Sequence, residues 1–109
     1  MVIGAAGLLG QYLCDEATER GLDVMATYNR TRPGGVNYPL EQLDITDQEA
    51  VFASIREAEP DMVFLPSALT GVDYCETHPQ EAWAVNAEGT FNVATACQAA
   101  KARLLYVST

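Results

Sequence analysis

Between positions 4 and 10 the chain reads Gly4-Ala5-Ala6-Gly7-Leu8-Leu9-Gly10, a GxxGxxG run. Met1-Val2-Ile3 before it is an apolar, strand-like run. Leu8, Leu9, Tyr12, Leu13 and Ala17 after it recur at helical spacing, up to a stop at Gly21. Each glycine answers a separate steric demand. Gly4 lets the backbone turn sharply out of a strand. Gly7 removes a side chain where the backbone must approach a bulky anion. Gly10 lets the helix pack close to the sheet. The helix start, with Ala6, Leu8 and Leu9 around it, then presents free N–H groups and a partial positive charge suited to phosphate. The alternative is a tight strand–helix turn with no ligand, which needs fewer glycines.

The remaining pattern alternates short β-rich runs with helical ones. Residues 24–28 read as a strand, and 29–39, with two prolines and a Gly-Gly pair, as a loop. Residues 42–45 are a short strand candidate. Thr46 is placed to cap a helix over 47–58 that buries Val51, Phe52 and Ile55. The apolar run at 62–65 fits a strand buried on both faces and closed by Pro66. Thr77, with Gln80 three residues on, has the capping-box spacing for a long helix over 79–101. Residues 104–107 form a last buried-type strand, followed by Ser108-Thr109. This order predicts a doubly wound parallel α/β sheet with helices on both faces.

Composition limits the function classes. Of 109 residues 49% are hydrophobic, too many for a disordered tail, and the length suits one core. No apolar run approaches the ~20 residues of a membrane span, and no basic start with an apolar stretch marks a secretory signal. The net charge of −9 argues against nucleic acid and against an anionic membrane surface. A small anion held by local geometry remains compatible with it. Three widely spaced cysteines, Cys14, Cys75 and Cys97, make no disulfide framework and fit a reducing cytoplasm. Cys75 and His78 are half a zinc site with no second pair, so no metal is expected.

If the anion is a dinucleotide, the residues past the second strand choose its type. A carboxylate about 20 positions beyond the glycines binds the ribose 2′-hydroxyl of NAD. Here Tyr28-Asn29-Arg30-Thr31-Arg32 holds none, and its two guanidiniums suit a 2′-phosphate. NADP(H) is therefore expected, with NAD(H) as the alternative and solvated loop charges as the plain reading of Arg30 and Arg32. In the long helix Ala82, Asn86, Gly89, Val93, Cys97 and Ala100 share one face. Asn86 is its only polar member and should be fully hydrogen-bonded. Gly89 implies close approach to the sheet.

The glycine run resembles that of the extended short-chain dehydrogenase/reductase family. Three further segments resemble its dTDP-4-dehydrorhamnose reductases: Ala68-Leu69-Thr70-Gly71-Val72-Asp73 with Glu76, Trp83-Ala84-Val85-Asn86-Ala87-Glu88-Gly89-Thr90, and Leu105-Tyr106-Val107-Ser108-Thr109. The resemblance implies a Rossmann-type fold and NADPH-dependent reduction of the C4 ketone of a dTDP-4-keto-6-deoxy sugar. It implies that Asp44 and Ile45 lie against the adenine, with Asp44 as a turn or cap residue the alternative. Ser67, Ala68 and Leu69 would face the ribose or nicotinamide, although Pro66 and Ser67 depart from the small apolar or amide residues usual there. Ser108 or, better, Thr109 matches the hydroxyl that binds the substrate carbonyl, and Asn86 would support the active site. A nucleotide-sugar substrate and a homodimer belong to the same expectation.

The family's general acid is a Tyr followed four residues later by a Lys. The residues four past Tyr12, Tyr28, Tyr38 and Tyr74 are Glu16, Arg32, Gln42 and His78, and nothing stands four past Tyr106. The expectation is that residues 1–109 are the cofactor-binding part of a larger enzyme, truncated after the fifth strand. Alone, they should not turn over. Two alternatives stay open: a non-catalytic NADP-binding subunit like the methionine adenosyltransferase β subunit, and an NAD-dependent sugar-nucleotide epimerase or dehydratase.

Overall fold

The computed structural model describes residues 1–66 and 72–107. Five strands form one parallel sheet: β1 (Val2–Ile3), β2 (Ala26–Tyr28), β3 (Leu40–Gln42), β4 (Met62–Leu65) and β5 (Arg103–Tyr106). Their order is β3-β2-β1-β4-β5. Val2 pairs with Ala26 on one side and Phe64 on the other, so β1 is central and the order reverses between β1 and β4. This is the doubly wound, Rossmann-type sheet expected, with its ligand crevice at the reversal, beyond the strand C-termini.

Helices cover both faces. The first, α1 (Leu8–Glu19), packs Cys14 with Leu13 and Ala17 over Val2, Ala5, Val24, Ala26 and Tyr38. On the other face α2 (Gln48–Ala58) and α5 (Thr90–Ala100) place Val51, Ile55, Val93 and Cys97 over Ile3, Val63 and Leu65. Between β4 and α5 come α3 (Val72–Thr77), α4 (Pro79–Trp83) and a π-helical turn, Ala84–Gly89.

Several local expectations give way. Leu8, Leu9 and Tyr12 are exposed, Leu8 at 90%, because the face that meets the sheet is Gly10, Leu13, Cys14 and Ala17. The third strand is Leu40–Gln42 rather than 42–45, since Leu40 to Gln42 pair with Ala26 to Tyr28 before the chain turns at Asp44. Asp47, not Thr46, caps α2, its carboxylate accepting from the Ala50 N–H at 3.1 Å. Phe52 is only partly buried. Helical structure runs over 79–100, close to the 79–101 expected, but Thr77 does not cap it: Thr77 ends α3, its hydroxyl donating to the Tyr74 carbonyl at 3.1 Å. A π turn then separates α4 from α5. Ala100 is exposed, and Asn86 is half-buried rather than enclosed. Within residues 1–109 β5 is the last strand of the sheet, with Leu105 50% and Tyr106 39% exposed.

Candidate dinucleotide-binding site

The site begins where β1 stops. Gly4 adopts φ 105°, a conformation nearly closed to residues with a side chain. The N–H groups of Gly4 and Ala5 both donate to the Thr27 carbonyl, at 3.1 and 2.7 Å, which fixes the turn to the end of β2. A Cβ on Gly10 would stand 2.0 Å from the Gly4 carbonyl oxygen and 3.1 Å from the Ala5 Cα, so only glycine lets α1 approach this closely. A Cβ on Gly7 would meet only the Gly4 carbonyl oxygen, at 3.8 Å, and Gly7 lies open to solvent. A side chain there would stand in the open space above the helix start. The first intrahelical bond runs from Gln11 N–H to the Gly7 carbonyl at 2.9 Å, which leaves the N–H groups of Leu8, Leu9 and Gly10 without an intrahelical acceptor. No side chain caps them. The Gln11 amide also donates to the Ala6 carbonyl at 3.2 Å and stiffens the turn, a contact that spacing alone did not reveal. An open glycine over three unclaimed donors fits a pyrophosphate.

Asn29, Arg30 and Arg32 follow β2 on the same edge of the sheet. Gln42 donates to the Asn29 carbonyl at 2.8 Å, and Leu43 N–H donates to the Tyr28 carbonyl at 2.8 Å. The loop base is therefore held by β3. Arg32 lies over the Tyr28 ring, 5.5 Å from its centroid, a cation–π contact. Arg30 reaches an unexpected partner: its Nη2 is 3.1 Å from Glu81 Oε1. Tyr74 donates its hydroxyl to the second Glu81 oxygen at 2.5 Å, and its ring stacks on His78 at 4.0 Å. These contacts hold the Glu81 carboxyl below its ordinary range, the Tyr74 hydroxyl first and the Arg30 guanidinium after it. Glu81 lies 51 residues beyond Arg30, and no local pattern pairs them.

Asp44 and Ile45 follow β3. Asp44 Oδ1 accepts from the Thr46 N–H at 3.0 Å and from its hydroxyl at 2.8 Å, the turn geometry that was the alternative for this residue. Ile45 is buried against the long-helix region. A Cβ on Gly89 would come within 2.6 Å of Ile45 Cγ1, so the close approach expected at Gly89 is real. The amide that fastens this helix to the β3 end is Asn92, donating to the Ile45 carbonyl at 2.9 Å. Asn86 lies in the π turn and is half-buried. Ser67, Ala68, Leu69, Ser108 and Thr109 lie outside the described residues. Among those described, no three His, Cys, Asp or Glu side chains gather as a metal site, and no helix is long and apolar enough to cross a membrane.

A parallel sheet with this reversal, and a glycine turn feeding a helix at its centre, define a Rossmann-type domain of the short-chain dehydrogenase/reductase class. The RmlD substrate binding domain model matches residues 1–109. The chain belongs to that family. It is 38% identical over its whole length to the dTDP-4-dehydrorhamnose reductase of Mycolicibacterium smegmatis, covering 29% of that protein. It is 31% identical over 99% of its length to the methionine adenosyltransferase 2 subunit beta of Xenopus laevis, covering 31% of it. Among solved structures, the Thermus thermophilus UDP-glucose 4-epimerase in complex with NAD superposes with a TM-score of 0.90, at 29% identity, over 99% of this chain and 36% of that one. The chain thus spans about a third of the length of these proteins.

Proposed function

We propose that residues 1–109 are the NADP(H)-binding part of a longer reductase of the dTDP-4-dehydrorhamnose type, which reduces the C4 ketone of a dTDP-4-keto-6-deoxy sugar. The observation that carries this is the glycine turn. Three unclaimed N–H groups stand at the sheet reversal, with Arg30 and Arg32 on the neighbouring strand end. Gly4, Gly7 and Gly10, with Ala6, Leu8 and Leu9, seat the pyrophosphate. Asn29, Arg30 and Arg32 take the ribose 2′-phosphate, and Asp44 and Ile45 border the adenine. Ser67, Ala68 and Leu69 line the nicotinamide side. Thr109, with Ser108, polarises the substrate carbonyl, and Asn86 supports the site from the π turn. The bound nicotinamide supplies the hydride. The general acid is a Tyr-x-x-x-Lys pair beyond Thr109, so these 109 residues alone give no turnover. A homodimer acting on a nucleotide sugar in the cytoplasm completes the reading.

Fluorescence titration of the intact protein with NADPH and NADH tests it. NADPH should bind tighter, and Arg30→Ala should weaken NADPH by about tenfold or more while sparing NADH. Equal binding of the two by the unaltered protein would overturn the NADP assignment in favour of an NAD-dependent epimerase-like enzyme. The 31% identity to a methionine adenosyltransferase subunit favours a second reading, a cofactor-binding regulatory partner. A continuing reading frame without Tyr-x-x-x-Lys after Thr109 would favour it.

A further inference from the structure

The contact between Arg30 and Glu81 has no place in the binding scheme above, and it joins the cofactor loop to a distant helix. Arg30 offers its guanidinium where a 2′-phosphate would dock, and one of its nitrogens is already engaged by a carboxylate. That carboxylate is fixed from its other side by the Tyr74 hydroxyl, and Tyr74 is itself braced against the His78 ring. Glu81 is thus a seated anion rather than a side chain sweeping through solvent.

We infer that Glu81 is a specificity-determining residue: it competes with the 2′-phosphate for Arg30 and so lowers the protein's preference for the phosphorylated cofactor. The inference rests on Arg30 being the 2′-phosphate ligand. Two anions on one guanidinium repel each other, and the cofactor lacking the phosphate does not meet this conflict. Because Arg30 is largely exposed, screening keeps the effect modest. Sequence alone could not reveal it, since positions 28–32 contain no carboxylate and the competing one arrives from α4.

Glu81→Gln removes the charge and keeps the length, with an oxygen able to accept from Tyr74. In the intact protein it should tighten NADPH on the order of two- to fivefold and leave NADH unchanged. The unchanged NADH titration also reports that the variant is folded. In an Arg30→Ala background the gain should vanish. A Glu81→Gln protein whose NADPH to NADH affinity ratio is unchanged or lower, while Arg30→Ala still lowers that ratio, overturns the competition and leaves the role of Arg30 standing. If Arg30→Ala leaves the ratio unchanged, the role of Arg30 itself falls, and the competition with it.

Discussion

Glycine at position 10 is required by space alone. Replacing it with alanine puts a carbon 2.0 Å from a backbone oxygen, which no rotamer change can relieve. Gly10→Ala should cost about 3 kcal/mol or more, read from urea unfolding of the intact protein, with cofactor affinity lost in parallel. At Gly89 the obstacle is the Ile45 side chain, which can shift, so Gly89→Ala should cost less, about 1–2 kcal/mol in the same assay. Tyr38 offers a test in pH. Burial first, then the neighbouring Cys14, pushes its phenol up to about 12. The folded form holds the proton that the unfolded chain releases near 10. Stability is therefore unaffected below pH 10 and falls as pH rises from 10 toward 12. Tyr38→Phe should flatten the thermal-stability profile in that window; a profile identical to the unaltered protein's would refute the assignment. Much of this was legible in the residues themselves. The glycine spacing announced the turn, the close helix and the open approach because each depends on neighbours a few positions away. Glu81 was illegible because its partner is 51 residues distant.

At the scale of elements, strand and helix order followed from periodicity, while boundaries did not. Gln42, assigned to the start of the third strand, is its last residue, because strand pairing with β2 outweighs local β propensity. At the start of α2, Thr46 and Asp47 both suit a cap. Asp44 claims the Thr46 hydroxyl, and Asp47 is left to cap. Asp47→Ala should therefore cost about 1 kcal/mol, and Thr46→Ala less than half of that, in thermal or urea denaturation. Equal losses would mean that the cap is shared. Helical structure covers 79–100, close to the 79–101 expected, but contains a π segment that periodicity cannot detect. A π turn adds a residue without changing composition, so a face read at α-helical spacing shifts by one position across it: Gly89, Val93 and Cys97 are buried, while Ala82 and Asn86 are only partly so. Asn92, one turn past the π segment, donates to the Ile45 carbonyl, a second amide anchor that the apolar face did not reveal.

The whole molecule carries a net charge of −9, against which the proposed anion site must work. The positive ingredients are local: a helix start with three unclaimed N–H groups and two arginines on the next strand end.

The π turn between Trp83 and Thr90 absorbs an extra residue. Deleting one of its residues restores an unbroken α-helix and leaves everything before it in nearly the same phase relative to α5, because the wider π winding already absorbs about one residue's rotation of roughly 100°. Arg30 and Glu81 should then keep their contact in the structure of such a deletion, and their parting would disprove this account. The π segment is in that sense a place where the helix can lose a residue without disturbing the contact it carries.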